Sequence, residues 1–356
     1  SILMLIWHYC SIIFGISTTV GILKMRILLT GGAGFIGSHT AVEMTKSGHE
    51  VVIYDNFCNS DASVLERLEE ILGKPVTFEE GDIRDYSRMY EVLKKHQIEA
   101  VVHFAGLKAV GESVEKPLEY YDNNITGTIT LLRAMKDLGI KRIIFSSSAT
   151  VYGTPQYLPL DENHPLSVTN PYGRTKLQVE EILSDLCVSD PEWSAVCLRY
   201  FNPIGAHESG LIGENPRGIP NNLLPYVARV AAGQLEAVRV FGNDYDTPDG
   251  TGVRDYIHVV DLAKGHVNAA QYSLTHKGWI AINLGTGVGY SVLDIIHAYE
   301  KACGKPIPYK IVERRAGDVG SNWANPKRAL ELLGWKAQYG LEEMCRHSWA
   351  FQKNCH

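Results

Sequence analysis

Apolar residues in this chain gather in short unbroken runs, and each run is followed by a stretch in which they recur every three or four positions. Ile27-Leu28-Leu29, Val51-Val52-Ile53, Val101-Val102 and Ile143-Ile144-Phe145 are such runs. Short continuous apolar runs mark strands buried on both faces, and the amphipathic stretches between them read as helices. Their alternation predicts an α/β fold with a doubly wound parallel sheet, its crossovers right-handed because strands twist that way. After Tyr200 the alternation fades, and loops rich in Gly, Pro and Asn take over. A smaller C-terminal α/β domain is expected there, and the segment Tyr256-Ile-His-Val-Val-Asp-Leu-Ala-Lys-Gly-His266 looks like a return to the first domain. The expected division is 1–24, 25–201 and 202–356, with about 256–278 returning to the first domain.

Residues 2–23 stand apart: they are mostly apolar and are followed by Lys24 and Arg26. The run is long enough to span a bilayer. No basic segment precedes it, however, and it contains His8, serines, threonines and glycines. A dispensable extension ahead of Met25 is expected rather than a signal peptide or an anchor. The rest of the composition, 45% hydrophobic and 21% charged, is that of a soluble globular protein. A net charge of −6 argues against nucleic acid or an anionic membrane as partner. The seven cysteines are scattered and never spaced Cys-x-x-Cys, and the histidines form no His-Glu-x-x-His pattern. That suits a reducing, cytoplasmic compartment, and no metal is expected.

The first strand runs into Gly31-Gly-Ala-Gly-Phe-Ile-Gly37 and then into a helical pattern. Strand, glycine turn and helix together form a dinucleotide-binding context. In that reading Gly32 permits the tight turn, Gly34 lets the backbone approach a pyrophosphate, and Gly37 lets helix pack on strand. The helix N-terminus faces the phosphates. Asp55 ends the next strand, where an acid holds an adenosine ribose and repels a ribose phosphate, so NAD is favoured over NADP. Asp82 ends a third strand and can reach an adenine. Phe104-Ala-Gly106 ends a fourth. Asn123 and Asn124 lie in a predicted helix from Tyr120 to Leu132.

Ser148 ends the Arg142 strand, at the edge where open α/β sheets bind ligands. Tyr172 and Lys176 stand four apart on a predicted helix and so share a face. A cation held near a phenol favours the phenolate, and such a tyrosine can take a proton from a sugar hydroxyl. Alone, Tyr-x-x-x-Lys fits a solvated helix face equally well.

From Met25 onward the chain closely resembles the UDP-galactose 4-epimerase family of extended short-chain dehydrogenases/reductases. The blocks that carry the resemblance are Gly31-Gly-Ala-Gly-Phe-Ile-Gly-Ser-His-Thr40, His103-Phe-Ala-Gly-Leu-Lys-Ala-Val-Gly-Glu-Ser113, Phe145-Ser-Ser-Ser-Ala-Thr-Val-Tyr-Gly153, Leu198-Arg-Tyr-Phe-Asn-Pro203 and Asp249-Gly-Thr-Gly-Val-Arg-Asp-Tyr-Ile-His258. The resemblance implies a Rossmann domain holding NAD, interconversion of UDP-galactose and UDP-glucose in galactose metabolism, and a homodimer. It makes Tyr172 the base, Lys176 its partner on the nicotinamide ribose and Ser148 the hydroxyl that orients the sugar. It implies cofactor contacts at Gly31, Gly34, Phe35, Ile36, Asp55, Asn56, Asp82, Ile83, Phe104, Ala105, Gly106, Lys108, Asn123 and Tyr200. For the UDP-sugar it points to Lys108, Asn202, Asn222, Leu223, Phe241, Arg254, Arg315 and Asp318. It also puts Asn322 at a position that gates the C2 side of the sugar. There a tyrosine excludes an acetamido group and a small residue admits it, so acceptance of UDP-N-acetylhexosamines is expected.

Two other functions compete. A dehydratase or decarboxylase on the same fold needs a further acid/base pair, and residues 146–152 offer hydroxyls without a carboxylate. A redox sensor on the same fold loses the tyrosine or the lysine, and this chain has both.

Overall fold

A computed structural model describes residues 23–355 of the chain. The expected N-terminal extension lies outside these residues except for Leu23 and Lys24, which belong to no helix or strand. The first half alternates: β1 (Arg26–Thr30), α1 (Phe35–Lys46), β2 (Glu50–Asp55), α2 (Ser63–Leu72), β3 (Thr77–Glu80), α3 (Tyr86–Lys95), β4 (Ala100–His103), α4 (Val110–Glu115), α5 (Pro117–Tyr121), α6 (Gly127–Asp137), β5 (Arg142–Ser148), α7 (Pro171–Ser189) and β6 (Ser194–Tyr200). The second half is less regular: β7 (Asn202–Ile204), α8 (Leu223–Ala231), β8 (Val238–Phe241), β9 (Val253–Arg254), β10 (Tyr256–His258), α9 (Val259–Thr275), β11 (Gly278–Leu284), β12 (Tyr290–Ser291), α10 (Val292–Cys303), β13 (Tyr309–Val312), α11 (Lys327–Leu333) and α12 (Leu341–Asn354).

The central sheet has seven strands in the order β11-β6-β5-β4-β1-β2-β3, all paired in parallel. Its strands split their apolar residues between two cores. Ile27, Leu29, Val102, Ile144 and Val196 face a core with α1, α2 and α9. Leu28, Val101, Ile143, Ala195 and Cys197 face a core with α3, α6 and α7. The continuous apolar runs are therefore period-two strands with both faces covered, each buried aliphatic side chain stabilising the fold by about 1.5–3 kcal/mol.

The second domain packs β8 and helices α8, α10 and α12 around Leu224, Val240, Ile295, Tyr299 and Met344. The chain returns to the first domain through α9 and β11, and Ala329 and Trp335 join the same core. No helix among the described residues is long and apolar enough to cross a membrane.

Candidate active site

The cleft opens where the strand order reverses. Because β1 lies between β2 and β4, connections leave the two sides of the sheet in opposite directions, and the strand ends part to form a crevice. The turn after β1 forms its floor. Gly31 has φ +69°, and a Cβ there would come within 2.8 Å of Ala105 N. A Cβ on Gly37 would lie 2.4 Å from Gly31 O. At Gly34 a Cβ would meet only Gly31 O, at 3.3 Å. Gly31 takes the left-handed conformation, and Gly32, inside the turn, must be small because Leu29 O (2.9 Å) and the Ile53 side chain (3.0 Å) crowd it. No side chain caps α1, so the N–H groups of its first turn remain for an anion.

Asp55 turns back onto this floor. Its Oδ2 accepts from Ala33 N (3.1 Å), and its Oδ1 accepts from Phe57 N (2.8 Å) and Ser60 Oγ (3.2 Å). Asn56 donates to Asp82 at 3.3 Å. Arg84 grips Asp82 through two nitrogens, at 3.0 and 2.9 Å, and holds that carboxyl below its usual range. Ile83 is buried against Gly127.

Beyond β4, Phe104 is buried with its ring 4.9 Å from that of His266. Ala105 N donates to Thr30 Oγ1 at 3.2 Å. The expected helix from Tyr120 to Leu132 is interrupted by a π turn, Asp122–Thr126, a feature frequent at functional sites. Within it Asn124 is buried and Asn123 half-buried. Asn124 accepts from Leu107 N (2.8 Å) and donates to Leu107 O (3.1 Å) and Thr175 Oγ1 (3.1 Å). It thus joins the Gly106 segment to the helix that carries Tyr172. The sequence reading singled out Asn123 and gave Asn124 no role; the two adjacent amides were the available signal.

Asn170 caps α7, accepting from Gly173 N at 2.8 Å, and Pro171 occupies its first position. That start sets Tyr172 at the cleft, its backbone N–H donating to Ser113 Oγ at 3.1 Å. One turn on, buried Lys176 donates to Ser146 O at 2.5 Å and lies 5.0 Å from the Phe145 ring centroid and 5.9 Å from that of Tyr172. Ser148 Oγ accepts from Thr150 N (3.1 Å) and Thr150 Oγ1 (2.9 Å). Both bonds come in, so the Ser148 proton is free to be donated. Burial pushes the Tyr172 phenol up to about 12, while Ser148 pulls it down by hydrogen bonding. Burial, and then repulsion from Lys108, lowers Lys176 to about 7. Desolvation of the phenolate thus outweighs the lowering expected from Lys176, whose ammonium is engaged by the Ser146 carbonyl. Desolvation lowers the pKa of Lys108 against the pull of Glu214 and Asp55. Tyr200 stands opposite Ser148 in the β5–β6 register, and its hydroxyl pairs with His266 Nε2.

The remaining candidates form a second group, in the C-terminal half of the chain. Arg315 stacks over Phe241, guanidinium to centroid 4.6 Å, and binds Asp318 at 2.9 Å. Arg254 donates to the carbonyls of Val253 and Val319, both at 2.8 Å. Both arginines act on buried Tyr256, opposing the burial that raises its phenol to about 12. Arg314 points elsewhere, paired with Asp244 at 2.8 Å and stacked on Tyr245. Asn202 is exposed at the start of β7, which pairs with β10, its N–H donating to Asp255 O at 2.9 Å. Asn222 and Leu223 start α8, and Asn222 Nδ2 donates to Glu214 Oε1 at 2.8 Å. Asn322 N donates to Val253 O at 3.1 Å, while its side-chain Oδ1 is buried without a partner among the described residues. Glu214 was missed by the sequence reading. Burial raises its carboxyl to about 7, with Asn222 and Lys108 opposing; nothing in its Gly-Glu-Asn context sets it apart from a surface acid. Among the described residues, no group of three or more His, Cys, Asp or Glu side chains is arranged to hold a metal.

A doubly wound sheet with a glycine turn, and a tyrosine–lysine pair beside a serine at the strand edge, define an extended short-chain dehydrogenase/reductase. The family model described as GDP-mannose 4,6 dehydratase matches residues 28–348. The chain is 59% identical to a UDP-glucose 4-epimerase of Bacillus subtilis over 93% of its length and 97% of the relative's. Among solved structures, the UDP-glucose 4-epimerase of Bifidobacterium longum in complex with NAD+ and UDP is 56% identical with a TM-score of 0.89, over 93% of this chain and 98% of that one. The enzyme from Stenotrophomonas maltophila, with bound NAD and formylated UDP-arabinopyranose, is 52% identical with a TM-score of 0.91 at the same coverage. The chain belongs to the UDP-glucose 4-epimerase family.

Proposed function

We propose that this protein is an NAD-dependent UDP-glucose 4-epimerase that interconverts UDP-galactose and UDP-glucose through a 4-keto sugar. The observation that carries the reading is the meeting of Tyr172, Lys176 and Ser148 at one strand edge, beside a glycine turn whose face toward the cleft bears no side chain. The open backbone at Gly34 and the uncapped start of α1 fit a dinucleotide. Gly31, Gly34, Phe35 and Ile36 would hold its pyrophosphate, Asp55 and Asn56 the adenosine ribose, and Asp82 and Ile83 the adenine. Phe104, Ala105, Gly106, Lys108, Asn123 and Tyr200 would line the nicotinamide end, with Lys176 on its ribose. When bound, NAD supplies the acceptor, and then the donor, for the hydrogen at C4.

Tyr172 removes the proton of the 4-hydroxyl and later returns it. Ser148 offers its free proton to the sugar oxygen. Arg254 and Arg315 suit the diphosphate, whose oxygens match the guanidinium fork, and Asp318 suits the ribose hydroxyls. Phe241 offers a face for the uracil, and Asn202, Asn222 and Leu223 complete the nucleotide side. Binding concentrated on UDP leaves the hexose free to turn over between the two hydrogen transfers. Denaturing the purified protein is expected to release NAD(H) in nearly equal amount to the chain; release of NADP, or of no dinucleotide, contradicts the reading.

Asn322 also favours acceptance of N-acetylhexosamines. It is smaller than tyrosine, and its buried Oδ1 has no partner among the described residues, so an acetamido N–H can satisfy it. UDP-N-acetylglucosamine is expected to be epimerised. Asn322→Tyr should abolish that activity and spare UDP-galactose; an N-acetyl activity that survives the tyrosine would remove Asn322 as the gate.

We read the protein as a homodimer. Val110, Val114 and Leu118 recur every four residues on α4 and α5 and are 45%, 62% and 83% exposed, an apolar surface that a second copy can cover. Sedimentation equilibrium should give twice the 39.5 kDa chain mass, and a single-chain mass would refute the dimer. A cytoplasmic location suits Cys58, Cys187, Cys197, Cys303, Cys345 and Cys355, all free thiols; fractionation of the native protein with a secreted or membrane pool would count against it.

A further inference from the structure

The segment 214–222 belongs to the second domain but reaches toward both proposed ligands. At one end Glu214 fixes the side chain of Asn222, 2.8 Å away, at the start of α8. In its middle Arg217 crosses to the first domain, donating from Nη1 to Cys58 O at 3.1 Å and from Nη2 to Ser60 O at 2.9 Å.

Cys58 and Ser60 lie in the loop that leaves β2 directly after Asp55. That loop is tied to Asp55 from inside, since Phe57 N and Ser60 Oγ both donate to Asp55 Oδ1. It also contains Phe57 at φ +58°, a conformation that a bulky residue keeps only when its surroundings hold it there. The Phe57 ring packs on Phe78 at 5.0 Å, which secures one side of the loop. Arg217 secures the other.

The strap is itself anchored. Arg229 of α8 donates to the carbonyls of Pro216 and Gly218, the two neighbours of Arg217. An unbroken set of contacts therefore runs from α8, through Arg229 and the strap, to Arg217, the Cys58 and Ser60 carbonyls, and Asp55. One end carries Asn222 and Leu223, proposed for the UDP-sugar, and the other carries the acid proposed for the cofactor ribose.

We propose that Arg217 is a positioning residue, a clasp that holds the loop behind Asp55 and makes cofactor retention depend on occupancy of the Asn222 side. This inference rests on the NAD reading above. A ligand that orders α8 also orders the strap and tightens the clasp, and by linkage the cofactor strengthens binding on the UDP side. The arrangement serves an enzyme whose cofactor is regenerated in every cycle and has no need to leave.

The test follows the loss of NAD(H) from the purified holoenzyme during extended dilution, with and without UDP. The native chain should lose it slowly, and more slowly with UDP. Arg217→Ala removes two charge-assisted hydrogen bonds; it should speed the loss about tenfold and erase the protection by UDP. Arg217→Lys, a single donor head, should restore part of both. Because Arg217 is exposed, the variants should keep the native melting temperature, and kcat with NAD in excess should not change. If Arg217→Ala loses NAD(H) at the native rate, or keeps the UDP protection, the clasp is refuted and the NAD reading stands. If the native chain carries no NAD(H), both fall together.

Discussion

Tyr172→Phe is expected to lower kcat by at least about a hundredfold while leaving UDP affinity nearly unchanged. The substitution keeps the ring, its packing and the helix start, and removes only the hydroxyl. The range for one positioned proton-transfer group is about 10²–10⁴. Three observations set the expectation. The hydroxyl lies beside Ser148, whose own acceptor capacity is taken by Thr150. Lys176 sits one turn away on the same helix. The nucleotide candidates Phe241, Arg254, Arg315 and Asp318 belong to the other domain, so they do not depend on the phenol. Since burial holds the phenol at about 12, turnover should also respond to the nearby cations. Lys176→Ala removes the closest of them and should cut kcat as well, with its pH dependence displaced upward. Unchanged kcat in Tyr172→Phe, or an effect confined to KM, would exclude Tyr172 as the base.

A cooperative acid unfolding between about pH 6 and 4 is the second large effect. His39, His103, His258 and His266 are each at most 1% exposed. Burial depresses all four, His39 and His266 to about 4, and His103 and His258 to about 3. The unfolded chain therefore binds protons first as pH falls below the unfolded value of 6.5. The stability these groups contribute is complete above that value and is lost as pH falls toward their folded values. Each costs about 1.4 kcal/mol per pH unit in that window. Glu214 acts in the opposite sense: raised to about 7, it keeps its proton in the folded state at pH values where the unfolded chain has lost it. Set against Glu214 alone, the four histidines leave three groups, about 4 kcal/mol per pH unit, against a total stability of about 5–15 kcal/mol.

Two of these histidines sit at the junction of the domains. His258 lies 2.9 Å from His347 of α12 and stacks on Tyr339, and buried His39 Nε2 has no partner among the described residues. Circular dichroism against pH should show one transition in this window. His258→Asn can keep the bond that Val260 N makes to the His258 side chain at 3.0 Å while removing the titration, so its midpoint should move to lower pH. A native protein still folded at pH 4 would contradict the expectation.

The sheet was legible because buried parallel strands and glycine turns are local patterns: Ile27-Leu28-Leu29 and the turn after it carry their own signal. Tyr172 and Lys176 were legible for the same reason, as two residues one helical turn apart. What stayed hidden depends on distant contacts. Gly31 admits no side chain because Ala105, in the loop after β4, lies against it. The π turn at residues 122–126 has no distinct sequence signature, so Asn124 passed for an ordinary helical amide. The pKa of Tyr172 could not be read from Lys176 alone, since burial by the whole cleft outweighs one neighbour. The partners of Arg217 lie 157 and 159 residues away, beyond any local pattern.

The central claim is that the C4 hydrogen leaves and returns within one closed site. Its most direct test uses UDP-galactose carrying deuterium at C4, the purified protein and no added dinucleotide. The account predicts UDP-glucose that keeps the deuterium at C4, with none lost to water. Label washed into solvent, or no UDP-glucose formed, would contradict it.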